Sequence, residues 1–369
     1  MSDTGSVVTG REQRVLEIIE TARSKRARFR DKQITLAHGA GGKATQTLIE
    51  GLLVPAFTGG EADGTLAALG DAGSVSVNGT RLAMTSDSFV VKPLRFPGGS
   101  IGELAVNGTV NDLAMAGARP LALTVSMILE EGLDAGVLRE EVEAIASTAV
   151  TAGVEIVGGD TKVVERGAAD GMYLCTTGIG EVDPRAQLAT DGIRPGDQVL
   201  VSGPIGEHGT AIMLARNQFD LDAEIESDTC SLWPAADALL GAAGAELHCL
   251  RDATRGGVAS VLNELARASG VAVVVREADV PVSPIVSAAA ELLGIDPMYV
   301  ANEGRLVAFV APEAADAALA ALRGVEGCES AAAIGEVRRE PPGMVLVHTA
   351  FGGRRVMDQL VGDPLPRIC

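Results

Sequence analysis

The sequence predicts two successive domains of mixed α/β (α+β) type. Its 369 residues exceed the length of one ordinary domain. Along most of the chain, short apolar runs alternate with helical patterns and are separated by Gly-rich turns, which is typical of α/β domains. A polar stretch with Pro and Gly, residues 183–196, interrupts this alternation. We therefore place the joint between the two domains there.

The elements of the first domain follow from local patterns. The pair Asn78-Gly79 predicts a hairpin turn between two short strands. The predicted elements are, in chain order, a strand over 34–37, a helix over 43–53, strands over 75–77 and 82–85, a helix over 101–118, a strand over 122–128, a helix over 135–152 and a strand over 172–179.

The second domain begins with a strand over residues 198–202 that ends at a Gly-Pro turn. Further strands are predicted over 271–275 and 306–310. Before the first of these two strands, a helix with a glycine-rich N-terminus follows Arg255, and such an end can hold a phosphate group.

Composition and charge exclude several classes of protein. The formal net charge is −19, with 30 basic and 49 acidic side chains and only 3% aromatic residues, which argues against a nucleic-acid binder. No apolar run reaches the ~18 residues that a membrane helix needs. The N-terminus lacks a secretory signal pattern. The five cysteines form no C-x-x-C pair, so we expect a reduced, cytoplasmic protein without a disulfide framework.

A glycine segment, Gly39–Gly42, lies between the predicted strand and the helix that Lys43 begins. It fails the P-loop pattern, because Ala44 replaces the required Ser or Thr. It matches only the loose dinucleotide pattern, without the acidic strand end that such a site needs. Two interpretations stay open. Gly41, Gly42 and Lys43 could cover nucleotide phosphates, or the segment is a tight turn.

Four carboxylates occur in Gly-, Ser- or Thr-rich sequence at the expected ends of apolar strands. Oxygen ligands at strand ends suit Mg²⁺ bound together with substrate phosphates. The alternative for each residue is a helix cap or a turn. Four in one setting favour a metal–nucleotide site. The residues are Asp71, Asp87, Asp160 and Asp252.

The predicted helix over 101–118 carries a polar stripe, because Glu103, Asn107 and Asn111 follow each other at intervals of four. Asn is a poor helix former, so its presence needs a reason. The two amides and a carboxylate of this helix could reach a shared ligand, or the stripe could be an ordinary solvated face.

The C-terminal segment ends in a cysteine, Cys369, and contains Pro364 and Pro366. The prolines resist helix formation and keep the segment extended. A thiol on such an arm could carry a covalently bound group between sites. A neighbouring carboxylate disfavours the thiolate, so an activated donor would have to load it.

These segments resemble the HypE family of carbamoyl dehydratases, which belongs to the aminoimidazole-ribonucleotide-synthetase-like (PurM-like) ATP-binding superfamily. The resemblance covers residues 34–369 and is carried by ITLAHGAGGKATQTLIE, TSDSFVVKPLRFPGGSIGELAVNGTVNDLAMAGA, GGDTKVVERG, RDATRGGVASVLNELA, ANEGRLVAFV and the terminal PRIC. It implies a two-domain PurM/AIRS-like fold whose N-terminal domain dimerises through its sheet. The implied parts are an extension over 1–33, an ATP-binding and dimerisation domain over 34–185, a C-terminal α/β domain over 196–340 and a flexible tail over 341–369.

The resemblance also implies a reaction. The family uses ATP to dehydrate a carboxamide on the sulfur of the terminal cysteine, here Cys369, to a thiocyanate, the cyanide donor for the iron centre of [NiFe]-hydrogenase. It implies Lys162 or Glu303 as the base, unless the two form only an ion pair. ATP would be bound by Gly41, Gly42, Lys43, Asn107, Asn111 and Asp160, and Mg²⁺ by Asp71, Asp87 and Asp252. The implied partners are a HypF-type carbamoyltransferase, a HypC–HypD-type iron scaffold and a second copy of the chain.

Two features depart from the family pattern. Ala253 replaces the usual Pro in RDATRGG, and the 33-residue extension is longer than expected. Neither changes a candidate catalytic group. Two alternatives remain: a sister synthetase or kinase, such as a selenophosphate synthetase, that acts on a free small substrate, and a non-enzymatic module that docks through its tail.

Overall fold

The structure is a computed structural model that describes residues 28–59, 66, 69–216 and 224–360. The first domain contains a five-stranded sheet and a separate two-stranded one, β3 with β4. Its strands are β1 (Gly73–Val77), β2 (Thr80–Phe89), β3 (Arg95–Phe96), β4 (Gly99–Ser100), β5 (Ala118–Glu130), β6 (Glu155–Val164) and β7 (Met172–Val182). In the larger sheet the strands lie in the order β1-β2-β7-β5-β6, so β6 is an edge strand.

The second domain is built on a seven-stranded sheet. Its strands are β8 (Gln198–Val201), β9 (Leu247–Asp252), β10 (Ala272–Arg276), β11 (Leu306–Val310), β12 (Ala332–Arg338), β13 (Met344–His348) and β14 (Arg354–Met357). They lie in the order β14-β13-β10-β12-β8-β11-β9. Only β10 and β13 pair in parallel; the other neighbours are antiparallel.

The α-helices of the described residues are α1 (Lys43–Leu48), α2 (Val54–Phe57), α3 (Ile101–Met115), α4 (Ala135–Ala152), α5 (Glu207–Ala215), α6 (Trp233–Ala243), α7 (Gly257–Ala268), α8 (Pro284–Leu293) and α9 (Ala315–Arg323). A π-helical turn, Ile49–Leu53, joins α1 to α2. None of these helices combines the length and apolar composition needed to cross a bilayer.

Capping residues define the start of α3 and both ends of α4. Ser100 caps α3, its hydroxyl accepting from the Glu103 N–H. Asp134 caps α4 by accepting from the N–H groups of Gly136 and Val137. Gly153 ends α4 in the left-handed conformation, φ +70°. The sequence prediction of α4 over residues 135–152 is confirmed.

The hydrophobic core continues from one domain into the other. Alternate residues of β11 face opposite sides of the second sheet, with Val307 and Phe309 packed on the α7 side. Leu306 and Ala308 face the other side, where Leu113 of α3 belongs to the same buried cluster. Helix α3 is therefore packed between the two domains, with nearly all of its residues buried.

Most predicted elements are confirmed, including the hairpin turn at Asn78 and Gly79, whose φ angles are +51° and +87°. The strand predicted over residues 34–37 is wrong. That segment leads into a 3-10 turn, Leu36–Gly39, because the His38 ring accepts a hydrogen bond from the Thr35 N–H at 3.0 Å. A local side-chain contact of this kind competes with strand pairing.

The predicted tail begins too early. The strands β13 and β14 are hydrogen-bonded parts of the second sheet, so the boundary at residue 340 is wrong and the domain continues to at least Met357. Residues 1–27 of the predicted extension and residues 361–369 of the tail lie outside the described part of the chain.

Candidate active site

Three carboxylates converge where the two domains meet, and we call them the acid cluster: Asp71, Asp112 and Asp252. One oxygen of each lies within 4.8 Å of the others. Asp71 precedes β1, Asp112 is in the last turn of α3, and Asp252 ends β9. Oxygen ligands at this spacing fit a divalent cation such as Mg²⁺. The site therefore needs both domains.

Neighbouring polar groups fix the orientation of the acid cluster. The hydroxyl of Thr85, on β2, donates to Asp112 Oδ2 at 2.6 Å and lies 3.0 Å from the Asp71 carbonyl oxygen. The Arg251 Nε lies 2.8 Å from Asp71 Oδ1. Arg251 also contacts Glu264 at 3.3 Å, so this guanidinium is held between two carboxylates.

Burial and mutual repulsion raise the pKa values of the acid cluster. The pKa of Asp112 lies well above its usual value because of burial first, and then because of the charge of Asp252. Burial, followed by the charge of Asp71, likewise raises the pKa of Asp252 well above normal. Burial also raises the pKa of Asp71, although Arg251 opposes it. A bound cation would relieve both the repulsion and the loss of hydration.

Asp87 lies beside the acid cluster, on β2. Burial raises its pKa, and the Arg255 guanidinium, 3.9 Å from its Oδ1, lowers it. Its charge raises the pKa values of Asp112 and Asp252. Asp87 lies within β2 rather than at a strand end, which differs from the expectation.

Gly108 lets α3 approach β2 closely enough to form this group. A Cβ at Gly108 would lie 2.9 Å from two carbons of the Phe89 ring and 3.9 Å from Asp87 Oδ2. Asp112 follows Gly108 by one helical turn and so lies on the same face of α3. The close packing of this face therefore positions Asp112 near Asp87.

Glu303 is the fifth carboxylate of the site and is 4% exposed. Its pKa is raised well above normal by burial, and further by the charges of Asp252 and Asp87. Its backbone is fixed on both sides. The Glu303 N–H donates to Asp228 Oδ1 at 3.0 Å, and Asn111 Nδ2 donates to its carbonyl at 3.2 Å. A buried carboxyl group with a raised pKa is better suited than an exposed one to accept a proton during a reaction.

Asn111 connects the two domains. Its Nδ2 donates to the carbonyl oxygens of Cys230 and Glu303, and its Oδ1 accepts from the Leu232 N–H at 2.7 Å. In the chain, the Asn111 amide therefore bonds backbone of the second domain, and its role in lining a nucleotide site stays a prediction. Asn107, one turn earlier on α3, is buried.

The glycine segment packs against the turn that follows Asp252. Gly41 has φ +73°, and a Cβ there would lie 2.8 Å from the Arg255 carbonyl oxygen. Ser260 donates to the Gly41 carbonyl at 3.3 Å. Lys43 is engaged elsewhere, because its Nζ lies 2.8 Å from Asp358 Oδ2. Gly41 and Gly42 line a cavity of about 470 Å³ that Arg251 and Glu264 also border.

Asp160 and Lys162 lie away from the acid cluster in this chain. Both belong to β6, at the far edge of the first sheet from β2, with β7 and β5 between them. Their side chains are exposed and form an ion pair with each other. The ion pair between Lys162 and Glu303, which the sequence analysis kept as an alternative, is therefore not formed within one chain. Cys369 lies outside the described residues.

Asp112 is a candidate site residue that the sequence analysis does not identify. It follows Asn111 directly, inside a helix, whereas the predicted carboxylates were sought at strand ends. The available signal was Gly108, four residues earlier, because an interior helical glycine is unfavourable unless another element packs against it.

Comparison with known proteins identifies both domains. Residues 69–182 match the family model described as AIR synthase related protein, N-terminal domain, and residues 194–347 match its C-terminal domain. A protein named carbamoyl dehydratase HypE, from Rhizobium leguminosarum bv. viciae, is 48% identical over 337 residues, which cover 91% of this chain and 95% of that protein.

Two solved structures are similar over most of the chain. The crystal structure of a HypE–HypF complex contains a chain that is 41% identical, with a TM-score of 0.79 over 84% of this chain and 99% of that one. The crystal structure of the hydrogenase maturation protein HypE in complex with ATP is 44% identical, with a TM-score of 0.76 over 91% of this chain and 100% of that one.

Proposed function

The chain belongs to the HypE family of carbamoyl dehydratases, and from this premise we propose how its residues divide the work of the reaction. The protein is an ATP-dependent carbamoyl dehydratase of hydrogenase maturation. It removes water from a carboxamide carried on a cysteine sulfur, which becomes a thiocyanate. The observation that carries the proposal for the site is the acid cluster, shared between the two domains.

The reaction needs a better leaving group than an amide oxygen. Transfer of the ATP γ-phosphoryl group to that oxygen produces one, since the oxygen then departs as phosphate. One proton leaves the amide nitrogen as the oxygen is phosphorylated, and the second leaves as C≡N forms. ADP, phosphate and the thiocyanate are the products, and the oxygen of the lost water ends in the phosphate.

Asp71, Asp112 and Asp252 would hold Mg²⁺, with Asp87 beside them. Magnesium at this position would neutralise charge on the phosphates during transfer. The support for this assignment is the raised pKa of all four carboxylates, since burial of several like charges is costly without a cation. Arg255, next to Asp87 and under the glycine segment, is suited to contact a phosphate.

Glu303 is the base that we assign to the amide protons. It is buried, its pKa is raised, and it shares the electrostatic environment of Asp252 and Asp87. These properties suit a group that accepts and releases a proton during the reaction. Lys162 lies on β6, away from Glu303 in the same chain, so we assign it to the site of a second copy of the chain.

Asp160 and Lys162 act from a second copy of the chain. In one chain they are exposed on the edge strand β6 and separated from the acid cluster by the width of the sheet. The same strand exposes Val157 and Val163, at 63% and 67%, which is typical of a surface that another chain covers. A homodimer formed through this sheet would bring the partner's β6 to the site.

The HypE relative with a bound HypF supports a HypF-type carbamoyltransferase as the partner that loads the protein. Cys369, the last residue of the sequence, would receive the carboxamide there. A HypC–HypD-type iron scaffold would then receive the cyanide. The nucleotide-bound relative supports ATP as the phosphoryl donor.

The decisive experiment is intact-mass analysis of the HypF-loaded protein before and after addition of Mg-ATP. We expect one carbamoyl adduct at Cys369, followed by the loss of one water from the same residue. Cys369→Ser should accept no adduct, whereas Cys175→Ser, a matched change on β7, should behave as the wild type. An adduct that survives ATP would contradict the dehydratase function, and turnover of ATP by Cys369→Ser with a free amide would support the sister-enzyme alternative.

A further inference from the structure

The last described residues of the chain, which lead into the C-terminal tail, contact Lys43 at the end of the glycine segment. We call Asp358–Leu360 the tail root. The Asp358 carboxylate lies 2.8 Å from the Lys43 ammonium, and the Asp358 carbonyl accepts from the Tyr299 hydroxyl at 2.8 Å. The Leu360 carbonyl accepts from the Lys43 N–H at 3.2 Å. Lys43 thus binds both ends of the tail root.

The middle residue of the tail root is buried and contacts α7. Gln359 is 3% exposed. Its Nε2 donates to Glu264 Oε1 at 3.5 Å, and its Oε1 accepts from Arg267 at 3.4 Å. Glu264 also pairs with Arg251, which pairs with Asp71 of the acid cluster. A continuous series of polar contacts therefore runs from the tail root to a candidate metal ligand.

A second series of contacts runs through the glycine segment. Lys43 follows Gly42 directly, and Gly41 packs on the Arg255 backbone without space for a side chain. The Arg255 guanidinium lies 3.9 Å from Asp87. The tail root is thus fixed to the same turn that places Arg255 beside the site.

The position of the tail root limits where the last residue can go. Residues 361–369 follow it and, fully extended, span about 30 Å. A short tether raises the effective concentration of the group it carries only if its origin is fixed within reach of the target. Misplacement of a reacting group by about 1 Å can reduce its rate strongly. The origin of the tail is therefore relevant to the rate at which its thiol-bound group reaches the site.

We propose that Asp358 is a positioning residue for the substrate-carrying tail. Through its ion pair with Lys43, it fixes the tail root against the glycine segment, and this fixed point is the origin of the segment 361–369 that carries Cys369. It acts through Lys43 and touches neither ATP nor the carboxamide. This inference rests on the proposed function of Cys369 as the carrier.

If the Lys43–Asp358 ion pair only stabilised the fold, its removal would change the free energy of unfolding and not the rate of the tethered reaction. The Lys43 and Asp358 side chains are 43% and 38% exposed. An ion pair with this exposure contributes little to the free energy of unfolding. Asp358→Asn should therefore fold normally, and a loss of rate in this variant would report on the tail rather than on stability.

The test compares a tethered with an untethered substrate. In single-turnover reactions with Mg-ATP, we expect Asp358→Asn to dehydrate the carboxamide on its own Cys369 about fivefold more slowly than the wild type. A carbamoylated peptide of residues 361–369, given to full-length chains carrying Cys369→Ala, should react at equal rates with and without Asp358→Asn. Asp358→Glu should retain most of the tethered rate.

Asp170→Asn is the matched control, because Lys92 and Asp170 form a comparable exposed pair at 3.0 Å on the first domain. It should leave both rates unchanged. Equal tethered rates for Asp358→Asn and the wild type, or an equal loss with the peptide, would overturn the positioning role. If the wild type itself fails to dehydrate its adduct, the proposed function fails first, and the inference falls with it.

Discussion

Ionisation of each carboxylate in the acid cluster costs free energy unless a positive charge is nearby, because the group is buried and has like-charged neighbours. Asp112 illustrates this, since burial and the charges of Asp252, Asp71 and Asp87 all raise its pKa, while only the Thr85 hydroxyl opposes them. Removal of one carboxylate should therefore ease repulsion in the metal-free protein and weaken cation binding at the same time. These two effects have opposite signs and can be separated by measurement.

We expect Asp112→Asn to lose most of the stabilisation that Mg²⁺ gives to the wild type. A ligand at a hundred times its Kd raises the free energy of unfolding by about 2.7 kcal/mol, and the variant should show a small fraction of this gain. Without Mg²⁺ the variant should be at least as stable as the wild type. Thermal unfolding at several Mg²⁺ concentrations measures both.

Asp237→Asn serves as the control, because Asp237 is a half-exposed carboxylate paired with Arg185 away from the acid cluster. It should keep the full Mg²⁺ response. A response of Asp112→Asn equal to that of the wild type would exclude Asp112 as a metal ligand.

The sequence identified Asp71, Asp87 and Asp252 from their local setting, and the structure brings these three together. It did not identify Asp112, because helical position alone does not show which face of α3 meets β2. The sequence prediction also placed Asp160 and Lys162 in the same site as these carboxylates. The order of strands in a sheet depends on pairing between residues far apart in sequence, so local patterns could not place β6 at the opposite edge.

At the scale of elements, the contact between α3 and β2 determines the geometry of the site. Helix α3 carries Asp112, strand β2 carries Asp87, and Gly108 lets the helix lie against the Phe89 ring. The sequence predicted the helix closely, because helical periodicity is local, but it predicted only residues 82–85 of β2. The distance between them depends on the packing of one glycine, which periodicity does not reveal.

We expect Gly108→Ala to reduce ATP-dependent dehydration about tenfold, because the added methyl group moves α3 away from β2 and misplaces Asp112. The loss of stability should be modest. Overpacking costs about 1–3 kcal/mol, but alanine gains about 1 kcal/mol over glycine in a helix. Steady-state kinetics together with chemical denaturation separate the two effects.

Gly241→Ala, in α6, is the matched control. An added Cβ there meets only the Arg185 guanidinium at 3.5 Å, so this variant should be slightly more stable and fully active. Equal activity of Gly108→Ala and the wild type would show that the close approach of α3 is not needed for the reaction.

At the scale of the whole molecule, a single chain holds an incomplete set of the predicted site residues. The acid cluster and Glu303 lie together, whereas Asp160 and Lys162 lie on an exposed edge strand with apolar neighbours. The proposed homodimer reconciles these positions. It also predicts that two chains with different defects can complete one another.

We expect a mixture of Lys162→Ala and Asp252→Asn chains, each inactive alone, to regain about a quarter of wild-type activity after dissociation and reassociation. Half of the dimers are then mixed, and each has one of its two sites intact. Val157→Glu combined with Val163→Glu should abolish this recovery and yield monomers in sedimentation velocity, whereas Val150→Glu, an exposed change on α4, should do neither. No recovery in the mixture would place Lys162 in its own chain's site or outside the reaction.

The division of the acid cluster between domains has a consequence for synthesis of the protein on the ribosome. Asp71 and Asp112 are made early, but Asp252 and Glu303 follow only after the second domain has begun. Asn111 binds the backbone at Cys230, Leu232 and Glu303, so it too finds its partners late. A nascent chain that has not yet reached Glu303 therefore lacks part of the proposed phosphoryl-transfer site, and we expect ATP consumption to begin only after the second domain has been translated and folded.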